Sequence, residues 1–131
     1  MHTPMLQVIP QRHTMDCAVA CLAMVIGKSY EDVLMAFDHN VIRYGATIRQ
    51  TQAAARVLGY RLSWSRKLGD LETDTGILSI RSSNWKTDHL VVLKDGIIVD
   101  TDATLWDQDV FMAAYSAVAM SIMRIDKMEE N

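Results

Sequence analysis

The chain has 131 residues, of which 50% are hydrophobic and 22% are charged, a balance that is ordinary for a globular protein. This length suits a single domain over residues 1–131, large enough to bury about two-thirds of the surface of its unfolded chain. The formal net charge of −3 and the absence of a Lys/Arg cluster argue against a nucleic-acid partner or binding to an anionic membrane.

The sequence shows no segment that would anchor it in a membrane or direct it to secretion. The longest apolar run, residues 18–27, has about ten residues, half of what a bilayer span needs. Residues 1–10 lack the basic and apolar regions of a secretory signal. Cys17 and Cys21 are the only cysteines, and their spacing on one helix makes a mutual disulfide difficult. We therefore expect a cytoplasmic protein in a reducing compartment.

The chain is predicted to begin with an extended segment and a first helix. Pro4 and Pro10 disfavour helix in residues 1–10. The first helix is predicted to begin near Asp16 and to end at Gly27, which has the position of a glycine C-cap.

Two further helices are predicted before the pattern changes. Ser29 and Asp32 resemble a capping arrangement and indicate a helix over about 30–37. The third helix is predicted over about 47–58, with several apolar residues partly on one face, and Gly59 closes it.

The second half of the chain predicts strands. Four are indicated by alternating or continuous apolar residues: 60–65, 76–81, 89–93 and 97–101. Asp95-Gly96, between the last two, is a strong signal for a two-residue hairpin turn. A short helix over 106–115 and a final strand over 118–125, with helix as its alternative, complete the chain. Helices first and strands second indicate an α+β domain with an antiparallel sheet.

Cys17 lies where a polar stretch meets the apolar helix, six residues after Gln11. The partial positive charge of a helix N-terminus favours a thiolate, which is the reactive form of cysteine. His89 and Asp100 lie on the two strands of the predicted hairpin. Cysteine, histidine and aspartate from separate elements are the components of a thiol acyl-transfer site.

These residues resemble a known family. The segment 11–24, with the pattern Gln-x5-Cys-Ala-x-Ala-Cys-Leu-x-Met, is similar to the start of the C39 peptidases. Those are papain-like cysteine peptidases, best known as leader-cleaving domains of bacteriocin-exporting ABC transporters. The resemblance continues through residues 45–59 and ends with the strands bearing His89 and Asp100, so it covers most of residues 7–102. Thr101 departs from the proline that the family usually has there, and because no membrane domain or ATPase follows, a free-standing domain is expected.

The resemblance implies a papain-like cysteine peptidase fold, with N-terminal helices packed on an antiparallel sheet, and a role for each matching residue. Cys17 is the implied nucleophile, and His89 accepts its proton and later protonates the leaving amine. Asp100 orients the imidazole, as the third member of other triads does. Gln11 and the backbone N–H of Cys17 stabilise the oxyanion. The implied reaction is cleavage of a peptide or small protein through a thioester, with a preference for Gly-Gly sites and no cofactor or metal.

Several residues have alternative interpretations. Asp102 replaces Asp100 if the register of the strand slips by two residues. Asp16 is expected to cap the first helix rather than take part in chemistry. Cys21 is expected to be a buried apolar residue. Trp85 either forms a wall of a substrate cleft or is an ordinary core or surface aromatic residue.

Two alternatives concern the function itself. The same thioester would serve an amidase, a deamidase or an acyl transferase, and the fold would also serve a non-catalytic peptide-binding module. A zinc site formed by His13, Cys17 and Cys21 is disfavoured, because no fourth ligand is evident and the spacing matches no common closed site.

Overall fold

The computed structural model describes residues 6–38 and 40–128. Within these residues the helices are α1 (Cys17–Ile26), α2 (Tyr30–Leu34), α3 (Val41–Tyr44), α4 (Ile48–Val57) and α5 (Gln108–Tyr115). The strands are β1 (Tyr60–Ser65), β2 (Thr75–Ser82), β3 (His89–Lys94), β4 (Ile97–Val99), β5 (Leu105–Asp107) and β6 (Ala117–Lys127). Residues 6–10 belong to no helix or strand, and the predicted extended conformation of residues 1–5 lies outside the described residues.

The six strands form one sheet in the order β1-β6-β2-β3-β4-β5, and every neighbouring pair is antiparallel. Successive side chains of a strand point to opposite faces, so each face has its own apolar cluster. The N-terminal helices cover one face, where Ile77 and Val92 pack with residues of α1. On the other face Leu78 and Val91 pack with Phe111 of α5. The predicted α+β architecture is confirmed.

Helix α1 is the central element of the first cluster. Residues 18–24 are buried on every side of the helix, which explains why they are apolar without a polar face. The helix packs on β3 and ends, as predicted, at Gly27, whose φ of 71° is left-handed. Cys17 is the first residue of the helix and is only half-buried, so its thiol lies at the edge of the core.

The predicted capping arrangement of α2 is confirmed, and α4 begins with a capping box that was not predicted. Ser29 Oγ accepts a hydrogen bond from the backbone N–H of Asp32 at 3.1 Å, and Thr47 forms a full capping box with Gln50. Helix α2 ends at Leu34, earlier than the predicted residue 37. Helix α3 was not predicted, because four residues are too few to show a helical period.

The strand predictions are confirmed, with differences at the ends. Residues 95 and 96 form a two-residue turn with φ of 49° and 81°, as expected for the type that suits Asp-Gly. Strand β5 was not predicted, and α5 therefore begins at residue 108 rather than 106. The last element is a strand, and the helical alternative is wrong. In the described part of the chain no helix has the length and apolar character of a membrane span.

Candidate active site

Asp16 fixes the segment that leads into α1. Its carboxylate is fully buried and accepts hydrogen bonds from the backbone N–H groups of Arg12 and His13, each at 3.0 Å, and from the Tyr30 hydroxyl. Burial, followed by the hydrogen bond to Asp16, raises the pKa of Tyr30 well above its usual range. Asp16 has the N-cap position, but its side chain does not bond to the helix, so the expected capping role is wrong. The carboxylate instead fixes the backbone conformation of the segment before Cys17.

His89 and Asp100 meet at the end of the β3–β4 hairpin. His89 Nε2 lies 2.8 Å from Asp100 Oδ1, and the two side chains are 28% and 11% exposed. Strand β4 ends at Val99, where the chain turns, because the N–H of Asp100 donates to the Thr104 carbonyl. This turn moves Asp100 toward the imidazole.

Asp102 does not take this role. The strand pairing joins Val92 with Val99 and Lys94 with Ile97, so an unbroken strand would put residue 102 opposite His89. Because β4 has already ended, Asp102 is exposed and accepts hydrogen bonds from Thr104 instead.

The thiol of Cys17 completes this row of side chains: it lines the same cleft as His89 and Asp100, and its interaction with His89 contributes to the pKa of the imidazole. Burial lowers the pKa of His89, but hydrogen bonds with Asp100 and Cys17, together with their negative charges, raise it overall to about 9. Burial raises the pKa of Asp100, yet the hydrogen bond and charge of His89 hold it below its usual value. The two shifts agree on an imidazolium paired with a carboxylate at neutral pH. Since Nε2 binds Asp100, Nδ1 is the ring nitrogen left for the thiol.

Gln11 lies beside this row, bound to Thr101. The backbone N–H of Gln11 donates to the Thr101 carbonyl at 2.8 Å, and Gln11 Oε1 accepts from the Thr101 hydroxyl. Gln11 Nε2 donates to the carbonyl oxygens of His13 and Thr14. The structure therefore brings all four predicted site residues together, with the Gln11 amide hydrogens bonded to the segment before Cys17.

Thr101 is a residue of the site that the sequence did not identify as functional. It is 2% exposed, its N–H donates to Asp100 Oδ1 at 2.7 Å, and its Oγ1 lies 3.3 Å from His89 Nε2. In the sequence it was only the residue after Asp100. A buried hydroxyl needs a partner, and a threonine directly after a site carboxylate is the signal that would have identified it.

Two clefts meet at Cys17. One, of ≈ 520 Å³, lies beside His89 and is lined by Trp85, Thr14 and Tyr115. Trp85 contacts the imidazole edge-on, with 6.0 Å between ring centroids. It forms a wall of this cleft, which is one of the two alternatives predicted for it. The other cleft has ≈ 310 Å³, and Gly45, Ala46 and Leu90 are part of its lining. Met15, Thr87 and Asp88 line both clefts. The thiol thus lies at the middle of a groove.

Cys21 has no part in this groove. It is fully buried, and burial, with smaller contributions from the charges of Cys17 and Asp100, raises its pKa well above the usual value. It is the apolar core residue that the sequence predicted. Within residues 6–38 and 40–128, no three His, Cys, Asp or Glu side chains are arranged to bind a metal ion.

Among the solved structures that share this fold are two peptidases. One is a double glycine motif protease from an AMS/PCAT transporter, in complex with the leader peptide; its TM-score is 0.68 at 19% identity, over 95% of this chain and 93% of that chain. The other is the peptidase domain of Streptococcus ComA, a bi-functional ABC transporter involved in a quorum sensing pathway; its TM-score is 0.66 at 17% identity, over 95% of this chain and 100% of that chain.

No protein-family model matches the sequence, and neither does any curated protein. At these identities the likeness shows the fold alone: this chain has the fold of the two peptidase domains, as the sequence led us to expect.

Proposed function

We propose that this protein is a cysteine peptidase of the C39 type, which cleaves a peptide or small protein through a thioester at Cys17. The observation that carries the proposal is the row Cys17–His89–Asp100 at the middle of a groove, in which Asp100 is hydrogen-bonded to the imidazole that adjoins the thiol. A nucleophile, a base that contacts it and a third group that orients the base are the parts that thiol acyl transfer requires.

The reaction follows from the charges of these groups. With the proton of the Cys17 thiol held on His89, whose imidazolium is the form at neutral pH, the thiolate attacks the carbonyl carbon of the scissile peptide bond. His89 then donates its proton to the leaving amine as the C–N bond breaks, which leaves the acyl group on sulfur. Water hydrolyses the thioester with His89 as the base. Asp100 holds the ring through Nε2 in every step, so that the other nitrogen faces the sulfur.

The oxyanion of each tetrahedral intermediate needs donors near the sulfur. The backbone N–H of Cys17 is one of the first groups of α1, which have no acceptor within the helix. Gln11 Nε2 is the second donor that we propose, and it would exchange its bond to the His13 or Thr14 carbonyl for one to the oxyanion. Losing one such donor costs about 10²–10³-fold in kcat in subtilisin.

The groove supports a peptide substrate, and we propose one that is cleaved after a Gly-Gly pair. The neighbour from the AMS/PCAT transporter is a double glycine motif protease in complex with a leader peptide. In this chain Gly45 and Met15, which both line the cleft on one side of Cys17, approach closely: a Cβ on Gly45 would lie 3.3 Å from the Met15 carbonyl oxygen. A passage bounded by backbone suits residues without side chains. We also propose that the protein acts in the cytoplasm, where a reactive thiol stays reduced.

A cleavage assay with matched peptides tests this function. The substrate is a peptide with a central Gly-Gly pair, and its control has Ala-Ala in that place. We expect mass spectrometry to show a new C-terminus only for the Gly-Gly peptide, with no product from Cys17→Ala and full activity in Cys21→Ala. The second variant is the matched control, because Cys21 is fully buried in the same helix.

Other outcomes would contradict the peptidase reaction. Conversion of a target glutamine to glutamate without chain cleavage would favour a deamidase on the same thioester. Iodoacetamide labelling of Cys17 no faster than of an ordinary thiol, with peptide binding intact, would favour a non-catalytic binding module.

A further inference from the structure

We infer that Thr101 is a positioning residue: its hydroxyl fixes the orientation of the Gln11 amide as an oxyanion donor and connects that amide to the His89–Asp100 pair. The inference rests on the proposed function, because it deepens the role of the same site.

Thr101 contacts Gln11, His89 and Asp100. Its hydroxyl donates to Gln11 Oε1 and lies 3.3 Å from His89 Nε2. Its backbone N–H donates to Asp100 Oδ1 at 2.7 Å, and its carbonyl accepts from the backbone N–H of Gln11 at 2.8 Å. The residue is 2% exposed, so these bonds do not compete with bulk water. A proline at this position could donate neither the N–H nor the hydroxyl bond.

The direction of the hydrogen bonds is fixed by chemistry. An amide oxygen only accepts, so the hydroxyl proton of Thr101 must point to Gln11 Oε1. The lone pairs of Thr101 Oγ1 are then free to face the N–H at His89 Nε2, which bonds mainly to Asp100. A glutamine amide that is bound through its oxygen presents its NH2 group on the opposite side, where Nε2 meets the carbonyls of His13 and Thr14.

This arrangement lets the amide change partner without changing its position. When a substrate oxyanion develops, Gln11 Nε2 exchanges a carbonyl of the segment before Cys17 for that oxyanion. The bond from Thr101 uses the other end of the amide, so it persists through the exchange. A donor held in place before the reaction stabilises the transition state without first reorganising.

The test separates two reactions of the same thiol. Alkylation by iodoacetamide needs the Cys17 thiolate but forms no oxyanion, whereas acylation by p-nitrophenyl acetate passes through one. Neither reagent needs a particular peptide sequence, and Cys21 is too buried to contribute. The variants are Thr101→Val, which keeps the shape and loses the hydroxyl, Thr101→Ser, which keeps the hydroxyl, Gln11→Ala, and Gln11→Ala combined with Thr101→Val.

We expect Thr101→Val to slow the release of p-nitrophenol about tenfold or more, since displacing a catalytic group by 1 Å can cost about 10²-fold. The alkylation rate should stay at the parent value. Thr101→Ser should restore acylation. In the Gln11→Ala background the valine substitution should have no further effect, because the group that it positions is gone. Thr101→Ala replaces the valine variant if the latter unfolds, and a thermal melt identifies that case.

Three results would overturn the role of Thr101 in an active parent protein: acylation at the parent rate in Thr101→Val, equal losses in acylation and alkylation, or additive losses in the double variant. Failure of the proposed function is recognised separately, by comparing Cys17→Ala with the unsubstituted protein. Equal acylation rates in the two would show that Cys17 is not the nucleophile, which would remove the basis of both proposals.

Discussion

His89 contacts Asp100, 2.8 Å away, although the pairing of β3 with β4 would bring residue 102 opposite His89 if the strand continued. The contact exists because β4 ends at Val99 and the chain turns back through the Asp100–Thr104 hydrogen bond. The orientation of the imidazole therefore depends on a turn, and the first prediction concerns which carboxylate is needed.

Replacing Asp100 by alanine should lower kcat/KM for the Gly-Gly peptide strongly. Loss of the carboxylate removes the partner of His89 Nε2, and in a serine-protease triad replacing the corresponding carboxylate by its amide costs about 10⁴-fold in kcat. Asp102→Ala is the matched control, since this exposed side chain bonds only within its own turn. Equal activities of the two variants would show that the hairpin contact does not orient the base.

The second prediction concerns the alkaline limb of the pH profile. Burial lowers the pKa of His89, but its bonds to Asp100 and Cys17 raise it overall from 6.5 to about 9. We expect kcat/KM to fall above about pH 9, because a neutral imidazole cannot protonate the leaving amine. Alkylation of Cys17 should not fall there, since it needs no proton donor. Asp100→Asn keeps an acceptor and removes the charge, so it should move the limb to lower pH.

The second prediction extends to stability, because the same raised pKa of His89 affects it. The contribution of His89 to the free energy of unfolding is complete below its unfolded pKa of 6.5 and is lost as the pH rises through about 9. Urea unfolding curves between these values should therefore show a decline that His89→Gln abolishes. An unchanged slope in that variant would mean that other groups cause the decline.

Asp16 supports the third prediction. Asp16→Asn should lower the free energy of unfolding by about 1–3 kcal/mol or more, because the NH2 of the amide cannot accept and would leave at least one of the three donors without its acceptor. Acylation of Cys17 should also slow, since the segment that carries the Gln11 contacts is no longer held. Tyr30→Phe removes a single donor and should have the smaller effect. If Asp16→Asn is stable and fully active, the carboxylate does not organise this segment.

The fourth prediction distinguishes the two cysteines. Iodoacetamide should label one thiol in the native protein and two in urea, as counted by intact mass. Cys21 is fully buried and its pKa is raised, first by that burial, so it stays a protected thiol. Native labelling of both thiols, or of neither, would disagree with the structure.

The hairpin could be predicted from the sequence because its signal is local. Asp95-Gly96 fixes a two-residue turn, and the turn fixes the register that brings His89 near residues 100–102. The choice of Asp100 over Asp102 was weaker, because the end of β4 has no strong sequence signal. The short elements α3 and β5, with four and three residues, are below the length at which a period can be recognised.

The hydrogen bonds of Gln11 could not be predicted in this way. The Thr101 hydroxyl and the Gln11 amide are 90 residues apart in the chain, and they meet only because the N-terminal segment packs beside the hairpin. The offset between Gln11 and Cys17 identified the residue but not its partners. The hydrogen bonds of Asp16 could not be predicted either. Its position directly before the helix indicates an N-cap, but its buried carboxylate accepts from other groups, such as the backbone N–H of Arg12.

Strand β6 has a consequence for biosynthesis. Among the residues that the structure describes it follows every other helix and strand, yet it pairs with both β1 and β2, and its Met123 lies in the same core cluster as α1 and in the wall of one cleft. While a ribosome is still translating this last strand, the nascent polypeptide has a gap between β1 and β2. We therefore expect the proposed activity to arise only after residue 127 has emerged from the ribosome.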